Sequence, residues 1–379
     1  MKTMKIAMFT SWQVRCGIAD YASELVGGLR GLPETEVDVV AYDREVHPRA
    51  DYVRWGQALN GGEVAHIQHE YSFFGYLLPW RNQFGPLVSQ IQRPLVITRH
   101  VSFDGPLTVP GRGVKHAIRQ VKWAMYNRWL GPYARQLNKD TFDIAQRIIV
   151  LSGRLRDHLA ARGVDPGKIR VIPGGAPAVP PAAGGDAVRA RYGWGRKRVI
   201  GQFGYLAPPK GHAVALEALA RLPEDYVLLI AGGPRLEAHR PFQAEIEARI
   251  AALGLGERVR LTGFLPAADV PAHIDACDAL VYPYTHADFS YSVATGLAYG
   301  SAPVVASDVY GHREIAGYCP GMTLFRSGDA VALAAALRRA LEDEGVRAEA
   351  KIGMARYARE YSWPAIAART REVYAEIAG

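Results

Sequence analysis

The feature that most constrains this chain is a rhythm in which short, mostly apolar runs recur and each is followed by a helix-like stretch. In the first half the runs are Lys5 to Phe9, Val37 to Ala41, Val64 to Ile67, Leu95 to Thr98, Ile148 to Leu151 and Ile169 to Ile172. In the second half they are Val199 to Phe203, Tyr226 to Ile230, Val259 to Leu261, Ala279 to Tyr282, Pro303 to Ala306 and Met322 to Phe325. Such runs suit parallel strands covered by helices on both faces. The alternation therefore predicts an α/β protein with a doubly wound sheet in each half. The stretch Pro173 to Pro181, continuing to Gly184-Gly185, suits neither helix nor strand and reads as a hinge between a lobe at 1–180 and a lobe at 186–362. Ser362 as a cap, Pro364 in a first turn and the patterned run Ala365 to Ile377 predict a helix at the end of the chain.

Composition narrows the setting. The chain has 379 residues, and at ~150 residues per domain two lobes are expected. The apolar stretch Ile6 to Phe9 is much shorter than a secretory core, and no window approaches the ~20 apolar residues that cross a bilayer. Cys16, Cys277 and Cys319 are scattered and odd in number, which fits a reducing, cytoplasmic setting better than a disulfide framework. The net charge of +8 favours anionic surroundings. No zinc-finger or RNA-recognition motif is present and the basic residues are dispersed, so nucleic acid is not the expected partner. From Val114 to Leu137, Val114, Ile118, Val121, Met125 and Trp129 recur at helical spacing beside Lys115, Arg119, Lys122, Arg128 and Arg135. That helix either packs on the first sheet or rests on an anionic membrane surface, which would make the protein peripheral at the inner membrane face.

Ligands of doubly wound sheets bind beyond the carboxyl ends of the strands, so two such lobes predict an interdomain cleft and functional residues just after strands. After Val199 to Phe203 come Gly204, Tyr205, a Pro-rich turn, Lys210 and a helix start at His212. Orphan backbone amides, a positive dipole end and a cation then meet at one point, a cradle for a diphosphate or else a plain strand–helix connection. Gly17 opens a helix after the first strand, either for close approach of a ligand or for a tight turn. His100 follows the fourth run and is either a substrate contact or a buried structural histidine. His69, Glu70 and Tyr71 follow the third and are candidates to face an acceptor, as is the aromatic stretch from Tyr71 to Trp80 unless it is core. Asp288, Phe289, Ser290 and Thr295 follow Ala279 to Tyr282 and serve either a ligand or a helix cap.

These ordered residues resemble the retaining glycosyltransferase family four, whose members have the GT-B fold of two Rossmann-like lobes. The resemblance runs nearly the length of the chain, through Cys16-Gly17-Ile18-Ala19, Gln68-His69-Glu70-Tyr71, Val96 to His100, Val171 to Gly175, Gly204 to Gly211, Ile230 to Pro234, Leu261-Thr262-Gly263 and Gly300 to Ser307. It implies that a nucleotide-diphosphate sugar is the donor substrate, with Lys210 on the diphosphate, Gly17 admitting it, and His100 beside the sugar. Gly204, Tyr205, Asp288, Phe289, Ser290 and Thr295 would complete the donor contacts, with His69, Glu70 and Tyr71 toward a glycan, lipid-linked or small-molecule acceptor. No cofactor or metal is implied. The final helix, 363–379, is similar to a family segment that returns to the first lobe. The chain departs from the family pattern where Tyr205 replaces an arginine, where Ala287 and Thr295 occupy the places of a usual pair of glutamates with Asp288 one residue away, and where an extra residue separates Gly300 from Pro303. The alternatives are a non-catalytic sugar-nucleotide-binding subunit or a nucleotide-sugar epimerase on the same fold.

Overall fold

The first apolar run forms β1 (Met4–Ser11), buried from Ile6 onward. It pairs in parallel with β2 (Thr35–Tyr42) on one side and β3 (Val64–His69) on the other. Strands β4 (Leu95–Arg99), β5 (Arg147–Val150) and β6 (Ile169–Val171) extend a six-stranded sheet of order β2-β1-β3-β4-β5-β6. Edge strand β2 exposes alternate residues, and its Asp38 pairs with Lys5 at 3.0 Å. The connections include α1 (Gly17–Arg30), α2 (Arg49–Ala58), α3 (Phe84–Val88) and α4 (Gly153–Ala160). The structure is a computed structural model that describes residues 3–14, 16–45, 47–75, 82–100, 139–234, 240–287 and 290–378, with single positions 118, 121, 124, 125, 128 and 136.

The second half repeats the plan after α5 (Gly185–Arg191). Strands β7 (Arg198–Phe203), β8 (Tyr226–Ala231), β9 (Val259–Gly263), β10 (Ala279–Tyr282), β11 (Val304–Ser307) and β12 (Thr323–Phe325) form a parallel sheet of order β12-β11-β10-β7-β8-β9. Helices α6 (His212–Leu219), α7 (Arg240–Ala252), α8 (Val270–Asp275), α9 (Tyr291–Tyr299), α10 (Tyr310–Tyr318), α11 (Ala330–Glu342) and α12 (Glu344–Glu360) connect and cover them. Both faces are apolar because side chains alternate: Leu228 and Ile230 enter the core beneath α6 and α11, while Val227 and Leu229 enter the one containing Val293, Leu297 and Met354.

The chain divides into one unit of Met1–Gly174 with Trp363–Gly379 and a second of Gly175–Ser362. The final helix α13 (Trp363–Ala375) lies on α1, so closely that a Cβ on Gly28 would stand 2.9 Å from the Ala367 Cβ. Glu376, just beyond it, is gripped by Arg147 and Arg170 at 2.6 Å each, which ties the tail to β5 and β6. In each sheet the strand order reverses beside the first strand of the unit, between β1 and β3 and between β7 and β10. A doubly wound sheet opens its ligand crevice at that reversal.

Candidate functional site

On the second unit, β7 runs into Gly204, then the short 3-10 turn Pro208–Lys210, then α6. Gly211 between turn and helix has φ 68°, and a Cβ there would stand 1.8 Å from the Pro283 carbonyl oxygen. Only glycine lets the turn press against the exit of β10. That contact sets Lys210 over the ring of Tyr284, with Nζ 3.8 Å from the centroid. Gln202 Nε2 donates to the Lys210 carbonyl at 2.9 Å, and Ser307 Oγ and Ser327 Oγ donate to the Tyr284 carbonyl at 2.6 and 3.1 Å. Lysine and ring are therefore both fixed from their backbones.

His312, near the start of α10, packs its ring 4.9 Å from that of Tyr284. Its Nδ1 donates to the Ser307 carbonyl at 3.0 Å, which leaves Nε2 as an acceptor. Burial pulls its pKa down to about 4, and nearby Lys210 pulls the same way. The buried Gln202 Oε1, Tyr284 hydroxyl and His312 Nε2 have no hydrogen-bond partner among the described residues. Buried polar atoms are ordinarily paired, so a cluster of three at the strand reversal marks a place built for more than packing.

Ser290 caps α9, its Oγ accepting from the Val293 amide at 3.3 Å, and is itself buried. Gly204 has φ 130°, and a Cβ there would stand 3.1 Å from Ser292 Oγ, so the start of α9 adjoins the Gly204 turn. Thr295 lies farther along α9 and donates to the Tyr291 carbonyl at 2.8 Å, a bond within its own helix. Tyr205 turns outward, 48% exposed, and meets the exposed Phe264 edge to face at 5.9 Å. The structure thus brings Gly204, Lys210 and the Ser290 cap together with Tyr284 and His312. Asp288 and Phe289 lie outside the described residues. Sequence reading missed Tyr284, His312 and Gln202, although all follow or end strands and so fall within the same filter.

On the first unit, Gly17 starts α1 with open space where a Cβ would be, so no protein contact requires glycine there. His100 follows β4, its Nε2 lying 2.7 Å from Gln68 Oε1 and its ring edge-on to Tyr21 at 4.8 Å. The residue is half-buried, and burial pulls its pKa down to about 3. A ring with so acidic a conjugate acid stays neutral at ordinary pH and is poorly matched to taking a proton. Its partner among the described side chains is Gln68.

His69 and Tyr71, expected to face an acceptor, are only 2% and 3% exposed. The His69 ring stacks on Phe74 at 5.3 Å and meets Tyr71, Phe84 and Phe142 edge to face. Burial holds its pKa down at about 3. Arg99, fully buried, lies over Phe142 and Tyr71 at 5.0 and 5.8 Å. The burial of His69 has a plain cause: the faces of β3 alternate, and His69 takes the one that looks into the aromatic core. Of the three expected residues Glu70 alone is half-buried, and its carboxylate accepts from the Ser72 amide at 2.9 Å to cap the 3-10 turn Tyr71–Phe74. Burial raises its pKa. Phe73 and Phe74 are core, and Tyr76 to Trp80 lie outside the described residues.

Two family profiles match in succession: Glycosyltransferase Family 4 over residues 17–178 and Glycosyl transferases group 1 over residues 186–361. Together the two matches span most of the chain, which belongs to glycosyltransferase family four. Among curated relatives, the 2-deoxystreptamine glucosyltransferase of Streptomyces kanamyceticus is 34% identical over 41% of this chain and 39% of its own length. The D-inositol 3-phosphate glycosyltransferase of Xylanimonas cellulosilytica is 29% identical over 65% of this chain and 60% of its own. The matched stretch thus spans less than two thirds of either relative. Solved structures share the fold over nearly the whole chain. HepE of Anabaena in complex with UDP superposes with a TM-score of 0.73 at 18% identity, covering 98% of this chain and 100% of that one. Sucrose-phosphate synthase of Thermosynechococcus elongatus does so with a TM-score of 0.70 at 20% identity, covering 98% of each. Each unit thus has the doubly wound sheet expected from the strand rhythm, and the chain has the GT-B fold that the family resemblance implies. Among the described residues no helix is long and apolar enough to cross a membrane.

Proposed function

We propose that this glycosyltransferase moves a hexosyl group from a nucleotide-diphosphate sugar to an acceptor hydroxyl, with retention of anomeric configuration and without a metal. The observation that carries the reading is Lys210, held over Tyr284 where the second sheet reverses its strand order, beside the starts of α6 and α9. As the bond from the sugar's anomeric carbon to the β-phosphate oxygen breaks, charge builds on the departing diphosphate. A fixed cation and orphan helix amides stabilise that charge, the contribution otherwise made by a divalent ion. The acceptor oxygen then bonds to the anomeric carbon and its proton passes to the leaving phosphate.

In this reading Gly204, Tyr205, Asp288, Phe289, Ser290 and Thr295 line the donor with Lys210 on the second unit, and Gly17 and His100 are the candidate substrate contacts of the first unit. Glu70 is the acceptor-side carboxylate. Names of similar proteins support a hexosyl donor: a glucosyltransferase, an N-acetyl-D-glucosaminyltransferase and a GDP-mannose-dependent mannosyltransferase are among them. HepE was solved with UDP-glucose. The acceptor is a cyclitol, glycan or lipid-linked hydroxyl. A lipid-linked acceptor gains support from the helical positions Ile118, Val121 and Met125, exposed at 51%, 59% and 59%.

The test is a thermal-shift series of the wild type and Lys210→Ala against nucleoside diphosphates and sugar nucleotides, each with and without chelator. A ligand at about a hundred times its dissociation constant stabilises by ~2.7 kcal/mol. Stabilisation by one nucleotide family, insensitive to chelator and lost in Lys210→Ala, is the expected result. No stabilisation by any of them would sink the donor site, and loss on chelation would sink the metal-free mechanism.

A further inference from the structure

Strands β3 and β4 place alternate residues on opposite faces of the first sheet. His69 and Arg99 take the aromatic face, whereas His66, Gln68, Thr98 and His100 meet on the other through hydrogen bonds. His66 Nδ1 lies 2.6 Å from the hydroxyl of Tyr374 on α13, and His66 Nε2 lies 2.8 Å from Thr98 Oγ1. Gln68 stands between the two histidines, with Nε2 3.4 Å from His66 Nε2 and Oε1 2.7 Å from His100 Nε2.

The chemistry of the neighbours orients this amide. Gln68 Nε2 also faces the Met8 sulfur at 3.7 Å, and a thioether accepts but cannot donate. The end of the amide toward Met8 and His66 is therefore its NH2 end. Its carbonyl oxygen then faces His100 and can only accept, so the proton of His100 sits on Nε2 and the lone pair on Nδ1. On His66 the same logic makes Nε2 the acceptor, from Thr98 and Gln68, and Nδ1–H the donor to Tyr374. A rotated amide would set its carbonyl oxygen against the Met8 sulfur, which has no hydrogen to donate. Burial of His66, which pulls its pKa down to about 3, keeps its ring neutral, with one nitrogen bare.

We infer that Gln68 is a positioning residue that locks His100 in its Nε2–H tautomer and so presents Nδ1 as a hydrogen-bond acceptor to a substrate hydroxyl. The inference rests on the reading of His100 as a substrate contact. Its role is orientation: an acceptor nitrogen of fixed direction holds a sugar or acceptor hydroxyl in the attacking arrangement.

The experiment is a long-range 1H–15N correlation spectrum of full-length protein labelled at histidine, recorded without substrate. His100 is recognised by its loss in His100→Asn. The wild type should show a neutral ring protonated on Nε2, and Gln68→Leu should show a mixture of tautomers. Gln68→Glu, which offers the same oxygen, should keep Nε2 protonated. Turnover should fall roughly tenfold in Gln68→Leu with the donor KM unchanged and recover in Gln68→Glu. An unchanged melting transition of the first unit in scanning calorimetry shows that Gln68→Leu is folded. A wild-type ring protonated on Nδ1, a Gln68→Leu spectrum like that of the wild type, or an altered tautomer with full turnover would each overturn the inference. Those results leave nucleotide binding untouched, whereas failure to bind any nucleotide overturns the proposed function whatever the tautomer.

Discussion

A lysine resting on a tyrosine face is held without being neutralised, unlike one in an ion pair, and so keeps its charge for an incoming anion. Lys210 and Tyr284 have this relation at 3.8 Å. Replacing the ring with Tyr284→Leu should weaken binding of whichever nucleoside diphosphate the protein prefers by roughly tenfold, the scale of a partly desolvated cation–π contact. Tyr284→Phe should keep most of the affinity, and Lys210→Ala should cost less in the leucine background than alone. Calorimetric titration of the four proteins decides this; equal losses in the phenylalanine and leucine variants would assign the effect to the hydroxyl. Lys210 was visible in the sequence because a Gly/Pro turn and a helix start surround it. Tyr284 was not, because a tyrosine after an apolar run looks like core, which is also what its burial makes it. His69 shows the converse: its strand-end place was legible, whereas its burial follows from the parity of β3, which His66 and Gln68 already carry.

Among the elements, the strands were legible nearly residue for residue because burial on both faces leaves them little freedom. Ala279 to Tyr282 was read with the bounds that β10 has, and most others shifted by one or two residues at an end. The unit on which α13 packs was legible only through the family resemblance, since it depends on contacts such as that of Gly28 with Ala367, far apart in sequence. The helical positions Ile118, Val121 and Met125 decide less, for their spacing suits either the sheet or a membrane, yet all three are exposed. An outward apolar face flanked in sequence by Lys115, Arg119, Lys122 and Arg128 should bind vesicles containing anionic lipid, with ~1 kcal/mol for each basic residue near the surface. Sedimentation with such vesicles should therefore exceed that with neutral ones, fall as salt is raised, and be lost in the double variant Val121→Glu, Met125→Glu. Equal recovery with neutral and anionic vesicles, or none with either, would remove the membrane from the proposal.

At the scale of the molecule, both units bury neutral histidines, and this sets how the protein meets acid. Burial pulls His66, His69 and His100 down to about 3 in the first unit, and His212 and His312 down to about 4 in the second. Unfolded, each ring returns to an ordinary pKa of 6.5, so below that pH the unfolded chain binds more protons than the folded one. Stability must then fall as the pH drops through 6.5 and keep falling until the folded rings titrate, with each unit of depression worth ~1.4 kcal/mol at most. His47, raised by its hydrogen bonds to Asp43 and Asp51, works the other way, but one raised ring does not balance five depressed ones. Carboxylates held low by arginines, such as Glu376 and Asp308, add to the loss only nearer pH ~4. Scanning calorimetry should therefore find melting that changes little above pH ~6.5 and drops steeply between about 6.5 and 4, in the transitions of both units. His66→Asn and His312→Asn should each flatten that slope. A melting temperature insensitive to pH across this window would mean that the rings are protonated in the folded protein, and with them would go the neutral His100 on which an acceptor role depends.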